Sequence, residues 1–304
     1  MTDDTATAEV SLPLVMSAFG ITDRGTVRDR NEDQFLIAEL SKSMRVCQTS
    51  LPEPKVQRGE ERAHLFLVAD GMGGHLAGER ASAIAVAAIE HFTLNTFRWF
   101  FAADNAGAQA VLGQFQSAVK DADARIADEA AGHPELKGMG TTVTMAFHLG
   151  AQVCLVHAGD SRAYLHRDGE LHQLTQDHTL VAELVLKGSV RKDEVAAHPL
   201  RHVITNVVGG PEVGVKVEAR AFPVCAGDRM LLCSDGLTDM VTPDAIASVL
   251  IAEAEPEAAA RELLAQAMAA GGRDNITIVI VRFDPAMRQR QVDDEDTATG
   301  PAYS

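Results

Sequence analysis

The sequence has few of the features that mark secreted or membrane proteins. Its 304 residues contain four cysteines, and no two of them form a CxxC pair. Three of the four lie in apolar strand-like runs, so all four are expected to be reduced core residues. The N-terminus is acidic and has no apolar stretch, and no apolar run is long enough to span a bilayer. We therefore expect a cytoplasmic protein without a membrane anchor.

Positive charge is also scarce. The chain has 27 Lys and Arg against 43 Asp and Glu, a formal net charge of -16. This charge repels nucleic acid and anionic membrane surfaces, so neither is an expected partner. The phosphate-binding pattern GxxxxGK[ST] is absent, and the glycines at 71–78 have no accompanying lysine, which argues against a nucleotide-binding ATPase.

Composition separates a large central region from two different ends. Residues 1–16 are expected to form a flexible N-terminal segment, and residues 284–304 an acidic disordered tail. Residues 17–283 form the candidate domain. Within it, residues 41–62 contain two prolines among charged residues and predict a surface loop insertion. Nothing in the sequence signals an obligate interface, so a monomer is expected.

Hydrophobic periodicity predicts helices and strands in separate groups. Apolar residues spaced three and four apart at 81–92 and 111–126 predict amphipathic helices. Four apolar runs joined by Leu149-Gly150 and Asp168-Gly169 predict hairpins at 141–148, 151–158, 161–167 and 170–175. Further elements are predicted as a helical patch at 179–197, strands at 215–222, 228–234 and 275–283, and helices at 243–252 and 256–269. This grouping is typical of an α+β fold, with antiparallel sheet covered by helices.

Aspartates stand at the ends of several predicted strands. The apolar runs LFLVAD, CLVHAGD and MLLCSD end in Asp70, Asp160 and Asp235, and Asp274 precedes the last strand. Any one of them could belong to an ordinary Asp-Gly turn. Together at a sheet rim they would repel one another unless a cation neutralised them, which favours a metal site. Oxygen ligands favour Mg²⁺ or Mn²⁺ over Zn²⁺.

Two other features are ambiguous from the residues alone. The polar stretch 25–33 places Arg28 close to Glu32 and Asp33. Such an arginine can hold a phosphate through two parallel hydrogen bonds, or form a surface salt bridge of little energetic value. The pair His198 and His202 is interrupted by a proline, which disfavours a zinc site.

Eight motifs, in order, resemble those of the metal-dependent protein phosphatases of the 2C type, the PPM family, and in particular its bacterial-type members. The resemblance covers residues 17–283. The motifs are Gly25 to Asp33, DGMGG at 70–74, GTT at 140–142, AGDSR at 158–162, QDHT at 176–179, VGG at 208–210, SDGL at 234–237 and GRDNIT at 272–277.

The resemblance implies a four-layer α-β-β-α sandwich, in which two stacked antiparallel sheets are flanked by helices. It also implies a centre of two Mg²⁺ or Mn²⁺ ions, and possible binding of a third, at one end of the sandwich. The implied roles are Asp70 as the bridge between two ions, Asp235 and Asp274 as ligands of one ion, the Gly71 carbonyl and Glu32 (through water) as ligands of the other, Asp160 as a ligand of the third, Asp33 and Asn275 as supporting residues, and Arg28 as the holder of the substrate phosphate.

The implied reaction is hydrolysis of phosphoserine and phosphothreonine in proteins, opposing serine/threonine kinases. A hydroxide that bridges the two ions attacks phosphorus directly, without a phospho-enzyme. Met72 carries no proton for the leaving group, so the general acid is unassigned and metal-bound water is the simplest donor. His75 and His178 are more typical of structural residues. Residues 178–206 correspond to the family's mobile flap.

Two alternatives remain open at this stage. One is a catalytically inactive binding module on the same fold, against which the retention of Asp70, Asp235 and Asp274 argues. The other is a hydrolase of a small phosphorylated metabolite. Rates on phosphothreonine peptides and on small phosphate esters separate these possibilities.

Overall fold

The computed structural model describes residues 14–45, 56–73, 76–95, 105–210 and 214–286. The strands in these ranges are β1 (Leu14–Asp23), β2 (Gln34–Arg45), β3 (Val56–Ala69), β4 (Gly71–Met72), β5 (Gly140–Thr141), β6 (Val143–Leu149), β7 (Gln152–Ala158), β8 (Arg162–Arg167), β9 (Glu170–Gln173), β10 (Val208–Gly209), β11 (Glu218–Pro223), β12 (Arg229–Cys233) and β13 (Ile276–Pro285). The helices are α1 (Leu76–Asn95), α2 (Asn105–Gly132), α3 (Leu180–Leu186), α4 (Asp235–Thr238), α5 (Pro243–Ala252) and α6 (Pro256–Ala269), with short 3-10 segments at Pro134–Leu136 and Lys192–Ala197. None of the described helices has the length and apolarity needed to cross a membrane.

Two five-stranded antiparallel sheets form the centre of the molecule. One has the strand order β1-β13-β12-β8-β9 and the other β11-β7-β6-β3-β2. The predicted hairpins β6–β7 and β8–β9 are present, and they turn through Gly150 at φ 63°, Asp168 at φ 53° and Gly169 at φ 84°. Positive φ at the turn matches the twist of the paired strands, which explains the residue types found there.

Three apolar layers separate four layers of secondary structure. Helices α1 and α2 cover the sheet that contains β6, with Phe115 and Phe147 in the layer between. Helices α5 and α6 cover the sheet that contains β12, through residues such as Leu263. The two sheets pack on each other through a third layer that includes Phe66 and Met230. The fold is therefore an α-β-β-α sandwich of the α+β class, and the prediction is confirmed.

The ends of several elements differ from their predicted positions. Strands β2 and β3 extend into the predicted loop at 41–62 and pair with each other as far as Arg45↔Val56, with an irregularity between Ser41 and Ser43. Backbone hydrogen bonds within a hairpin can stabilise two strands even when apolar and polar side chains do not alternate along them. Likewise β1 begins at Leu14, inside the predicted flexible segment, because Leu14 pairs with Pro285. Residues 1–13, 46–55 and 287–304, which complete these predicted segments, lie outside the described residues.

The cysteines are only partly core residues. Cys154 and Cys233 are buried and unpaired, whereas Cys225 is exposed. The prediction for Cys225 is wrong because its apolar run ends with β11, and the residue lies in the turn to β12. Cys47 lies outside the described residues.

A histidine pair lies between the sheets, away from the aspartates. His64 on β3 and His148 on β6 are cross-strand partners on the face that carries Phe66. His148 is 4% exposed, and neither ring nitrogen forms a hydrogen bond of normal geometry with a described residue. Burial lowers the pKa of His148 to about 4, and the neighbouring His64 contributes in the same direction. The folded protein therefore holds this imidazole neutral.

We expect His148 to destabilise the fold in acid. Its folded pKa of about 4 lies below the unfolded value of 6.5, so the unfolded state binds the proton first as the pH falls through this window. The free energy of unfolding falls by about 2 kcal/mol at pH 5 through this one group. His148→Leu should therefore lose less thermal stability than the parent between pH 7.5 and pH 5. His172→Leu, at an exposed site on β9, is the control. Equal losses of melting temperature in the parent and in His148→Leu would contradict this expectation.

Candidate metal centre

The predicted aspartates converge at one end of the sandwich. Asp70 follows β3, Asp160 follows β7, Asp235 follows β12 at the start of α4, and Asp274 precedes β13. Burial raises the pKa of Asp70 well above its ordinary value, and the charges of Asp33, Asp235, Asp160 and Asp274 raise it further. Because such coupling requires short separations, the five carboxylates form one cluster, which we call the carboxylate cluster.

Asp70 is held through its backbone. Its N–H donates to Thr142 Oγ1 at 2.9 Å, and its carbonyl accepts from the Thr142 N–H at 2.8 Å and from Thr141 Oγ1 at 2.9 Å. Thr142 Oγ1 also lies 2.7 Å from Ser161 Oγ, next to Asp160. These hydrogen bonds fix the end of β3 against the turn after β7, leaving the Asp70 side chain to face the cluster.

Asp33 is the most enclosed carboxylate, with 2% of its surface exposed. Its Oδ2 accepts from Ser234 Oγ and Thr277 Oγ1, both at 2.7 Å. Its Oδ1 is buried without a hydrogen-bond partner among the described residues. Burial raises the pKa of Asp33 to about 6, although the two hydroxyl hydrogen bonds favour the ionised form. Asp33 is thus fixed on one oxygen and unsatisfied on the other.

Asp160 is also buried, with 7% of its surface exposed. Burial raises its pKa to about 7, and the charges of Asp177 and Asp239 add to the effect. The preceding Gly159 has φ 117°, and a Cβ there would overlap Thr142. Only glycine allows this turn to approach β5 so closely.

Asp235 faces Asp239, which the sequence did not single out, and His202, which entered only as half of the disfavoured zinc pair with His198. His202 Nδ1 lies 4.0 Å from Asp235 Oδ2, and His202 Nε2 lies 3.5 Å from Asp239 Oδ2. Potential ligand atoms of these three residues lie within 4.8 Å of one another. The spacing of Asp235 and Asp239, four residues apart across a short helix, could have indicated a shared face. His202 had no such signal, because its position depends on the path of residues 178–206.

Asn275 organises the loop that carries Arg28. Its side-chain amide donates to the carbonyls of Arg24 at 2.9 Å and Arg30 at 2.8 Å, and its oxygen accepts from the Glu32 N–H at 2.8 Å. Arg28 Nη2 donates to Asp274 Oδ2 at 2.6 Å, while 54% of the arginine side chain is exposed. The loop therefore brings a largely exposed guanidinium to the rim of the carboxylate cluster.

Glu32 lies beside Gly71. A Cβ at Gly71 would overlap the Gly78 carbonyl and crowd the Glu32 carbonyl, and a Cβ at Gly78 would overlap Glu32 Oε2. Ser82 Oγ donates to the Glu32 carbonyl at 2.6 Å. The two glycines thus let the loop, the Asp70-Gly71 turn and the first turn of α1 pack together.

Residues 178–206 form a small helical unit beside the cluster. Thr179 caps α3 by accepting from the Ala182 N–H at 3.3 Å. His178 joins both ends of the unit, since its carbonyl accepts from the Thr205 N–H at 2.8 Å and its Nδ1 accepts from Asn206 Nδ2 at 2.8 Å. The same Nδ1 accepts from the Gly159 N–H at 3.0 Å. His178 therefore has a structural position, and the other candidate acid, His75, lies outside the described residues.

The donor set suits hard divalent cations. Each carboxylate of the cluster offers oxygen, His202 is a nitrogen donor at its side next to Asp235 and Asp239, and the neighbouring thiol of Cys233 is buried in the core. Mutual repulsion among the carboxylates, together with the unsatisfied Oδ1 of Asp33, is relieved by positive charge placed between them. Mg²⁺ and Mn²⁺ prefer such ligands.

Comparisons with known proteins agree with this geometry. The family described as "Protein phosphatase 2C" matches residues 45–270. The serine/threonine protein phosphatase PstP of Mycobacterium tuberculosis is 38% identical over 267 residues, which are 88% of this chain and 45% of that protein. This chain therefore spans about half the length of that relative. The serine/threonine phosphatase stp of Listeria monocytogenes is 32% identical over 269 residues, 88% of this chain and 96% of that protein.

Solved structures show the same architecture. The catalytic domain of the serine/threonine protein phosphatase PstP, in complex with two manganese ions, has a TM-score of 0.68 at 35% identity, and the match covers 89% of this chain and 99% of that chain. The S. agalactiae serine/threonine phosphatase has a TM-score of 0.72 at 29% identity, covering 88% of this chain and 99% of that chain.

We expect Mn²⁺ to stabilise the protein through the carboxylate cluster. At a concentration 100-fold above its dissociation constant, the ion should raise the melting temperature by on the order of 5 to 10 °C. Asp235→Asn should shift less with Mn²⁺, and in EDTA at pH 7.5 it should melt higher than the parent because one repelling charge is gone. Differential scanning calorimetry measures both effects.

The control for this experiment is Asp128→Asn, an exposed site on α2 that loses the same charge. It should keep the full Mn²⁺ shift. A full shift in Asp235→Asn as well would show that the stabilising ion binds elsewhere.

Proposed function

Because the chain belongs to the protein phosphatase 2C family, we propose that it hydrolyses phosphoserine and phosphothreonine in proteins. The observation that carries this proposal is the convergence of the carboxylate cluster with Arg28 at its rim. The cluster offers ligands for divalent ions, and the guanidinium offers a grip for a phosphoryl group. The names of the relatives support protein substrates over small phosphate esters.

The metal ligands are proposed from the resemblance to the family's motifs. Asp70, Asp235 and Asp274, together with the Gly71 carbonyl and with Glu32 through water, would hold two divalent ions. Asp160, which interacts electrostatically with Asp235, is the proposed ligand of a third ion. When bound, Mn²⁺ or Mg²⁺ supplies a water nucleophile of lowered pKa and Lewis-acid stabilisation of the phosphoryl oxygens.

Arg28 binds the substrate phosphate in this proposal. Its guanidinium is planar and presents parallel donors, which match two oxygens of a phosphate. Its hydrogen bond to Asp274 aims it at the cluster, and its exposure leaves other donors available. Asn275 keeps this geometry by holding the loop on both sides of Arg28.

The remaining residues position the reacting groups. Asp33 is held by Ser234 and Thr277 and provides a fixed carboxylate on the buried side of the carboxylate cluster. Met72, half-buried on β4, has no proton to donate to the leaving serine or threonine oxygen. We propose water as the source of that proton. The step forms a bond between a water oxygen and phosphorus and breaks the bond between phosphorus and the serine or threonine oxygen, which takes up the proton as inorganic phosphate is released.

The cellular setting follows from the same proposal. A phosphatase acting on phosphoserine and phosphothreonine opposes serine/threonine kinases. We propose that the protein acts as a monomer in the cytoplasm, for which the buried unpaired thiols of Cys154 and Cys233 are suited.

We expect phosphate release from a phosphothreonine peptide with added Mn²⁺ and none with excess EDTA. Asp235→Asn should lower the rate at least about 100-fold, because it removes a ligand of an ion that stabilises the transition state by several kcal/mol. Asp128→Asn should keep the parental rate. A folded, Mn²⁺-binding protein without turnover would favour a binding module, and turnover of small esters alone would favour a metabolite phosphatase.

We expect Arg28→Lys to lower kcat/KM for the same peptide by about 10- to 100-fold, since an ammonium cannot form the paired hydrogen bonds of a guanidinium. Steady-state kinetics at saturating Mn²⁺ measures this change. Arg273→Lys, a cation next to Asp274 in sequence, is the matched control. An unchanged kcat/KM in Arg28→Lys would remove Arg28 from the proposed phosphate site.

A further inference from the structure

An open groove of about 600 Å³ lies at the side of the sandwich, along the edge strand β11. Its apolar lining includes Leu155 and Leu174, and its polar lining includes Gln116 on α2 with Glu218 and Arg220 on β11. None of these residues belongs to the carboxylate cluster. The groove therefore needs an explanation separate from the proposed metal chemistry.

The outer edge of β11 has backbone groups available for pairing. β11 is the last strand of its sheet and pairs on one side with β7. A hydrogen bond of 3.0 Å from the Val224 N–H to the Ala151 carbonyl continues this pairing beyond the end of β11. Hydrogen-bonded pairs alternate along an antiparallel ladder, so the N–H and carbonyl groups of Ala219 and Ala221 point away from β7. Within the described ranges these groups have no hydrogen-bond partner, whereas the Val217 carbonyl accepts from Gln116 Nε2 at 2.9 Å.

Such an edge is a template for an added strand. A peptide in extended conformation could pair with Ala219 and Ala221 and place alternate side chains in the groove. Pro223, which has no N–H, occupies the next outward position and would end the pairing there.

The groove carries a positive charge that has no counter-charge within bonding distance. Arg220 forms no ion pair with another described residue, and its guanidinium lies 5.8 Å from the Phe222 ring centroid. Glu218, two residues before it, lines the same groove and acts on Arg220 electrostatically, but its carboxylate lies 3.2 Å from His178 Nε2 and forms no ion pair with Arg220. In a protein of net charge -16, Arg220 is thus a local cation beside an open strand edge, complementary to a carboxylate.

The groove lies along the same strand pair that leads to Asp160. Glu218 lies opposite His157 in register, and Arg220 lies opposite Leu155, about five residues before Asp160 along β7. At about 3.3 Å per residue, this separation is about 16 Å. A peptide whose phosphorylated residue lies at the carboxylate cluster can therefore reach Arg220 with a side chain about five positions away.

We propose that the β11 groove docks an extended acidic segment of the phosphoprotein substrate. The segment adds a strand to the outer edge of β11 and places a carboxylate against Arg220. This inference rests on the proposed phosphatase function and assigns its substrate preference. Backbone pairing supplies sequence-independent affinity, and Arg220 supplies selectivity for an acidic side chain.

The test uses the full chain with saturating Mn²⁺ and two phosphothreonine peptides. One has glutamates four to six positions from the phosphothreonine, and the other has glutamines there. The parent should show a KM about 3- to 10-fold lower for the glutamate peptide. Arg220→Gln should reduce this ratio to near one, leaving kcat and the hydrolysis of p-nitrophenyl phosphate unchanged.

Two further variants separate charge from backbone pairing. Ala219→Pro removes an outward N–H without removing a bond to β7, so it should raise KM for both peptides and leave p-nitrophenyl phosphate hydrolysis unchanged. Arg261→Gln removes the same charge from α6, which packs against the other sheet, and should keep the parental ratio. A ratio in Arg220→Gln equal to that of the parent would overturn the proposal.

The chain's own acidic residues are the competing occupant. If Arg220→Gln lowers KM for both peptides, and if neutralising Asp293, Asp294, Glu295 and Asp296 does the same, the groove binds this segment and the proposal fails.

Fluorescence anisotropy with the glutamate peptide reports docking independently of hydrolysis. If the peptide binds in a manner that depends on Arg220 but no ester is hydrolysed, only the proposed phosphatase function is contradicted. If the peptide is hydrolysed and neither its binding nor its KM depends on Arg220, only the docking groove is contradicted.

Discussion

Mutual repulsion among five buried or half-buried carboxylates is the constraint on which the rest of the structure depends. Asp33, Asp70, Asp160, Asp235 and Asp274 would separate in a flexible chain, because like charges in a weakly polar setting repel strongly. Here each follows or precedes a strand of a rigid double sheet, and hydroxyls and amides fix the adjoining backbone. The free energy that holds the cluster together comes from three apolar layers distant from it. A divalent cation then gains affinity from a site whose geometry is already present.

The sequence predicted most of this arrangement because its signals are local. Apolar runs that end in aspartate specify strand ends, and turn residues such as Asp168 and Gly169 specify hairpins between neighbouring strands. The resemblance to a known family then supplied what local signals do not contain, namely which strand ends meet. The roles assigned to Asp70, Asp235 and Asp274 remain proposals, although the structure brings these residues together.

What the sequence did not predict depends on contacts between distant segments. The extension of β2 and β3 arises from pairing between polar segments, for which single-strand periodicity gives no signal. His202 reaches Asp235 and Asp239 only because the two ends of its segment are joined at His178. His148, which forms no hydrogen bond of normal geometry with a described residue, lies in an otherwise strand-like apolar run, where its hydrogen-bonding state depends on residues across the sheet.

The two hydroxyl contacts of Asp33 have a mechanical consequence. Asp33 directly precedes β2, whereas Ser234 directly follows β12 and Thr277 lies on β13 in the opposite sheet. One carboxylate oxygen therefore fastens the two sheets together at the end that carries the carboxylate cluster. At the other end, which carries the β6–β7 hairpin, Arg167 on β8 donates to the Pro223 carbonyl on β11 at 3.1 Å and joins the two sheets there as well. Polar contacts therefore join the two sheets at both ends of the sandwich, so the sheets cannot slide past each other at the carboxylate cluster without breaking them.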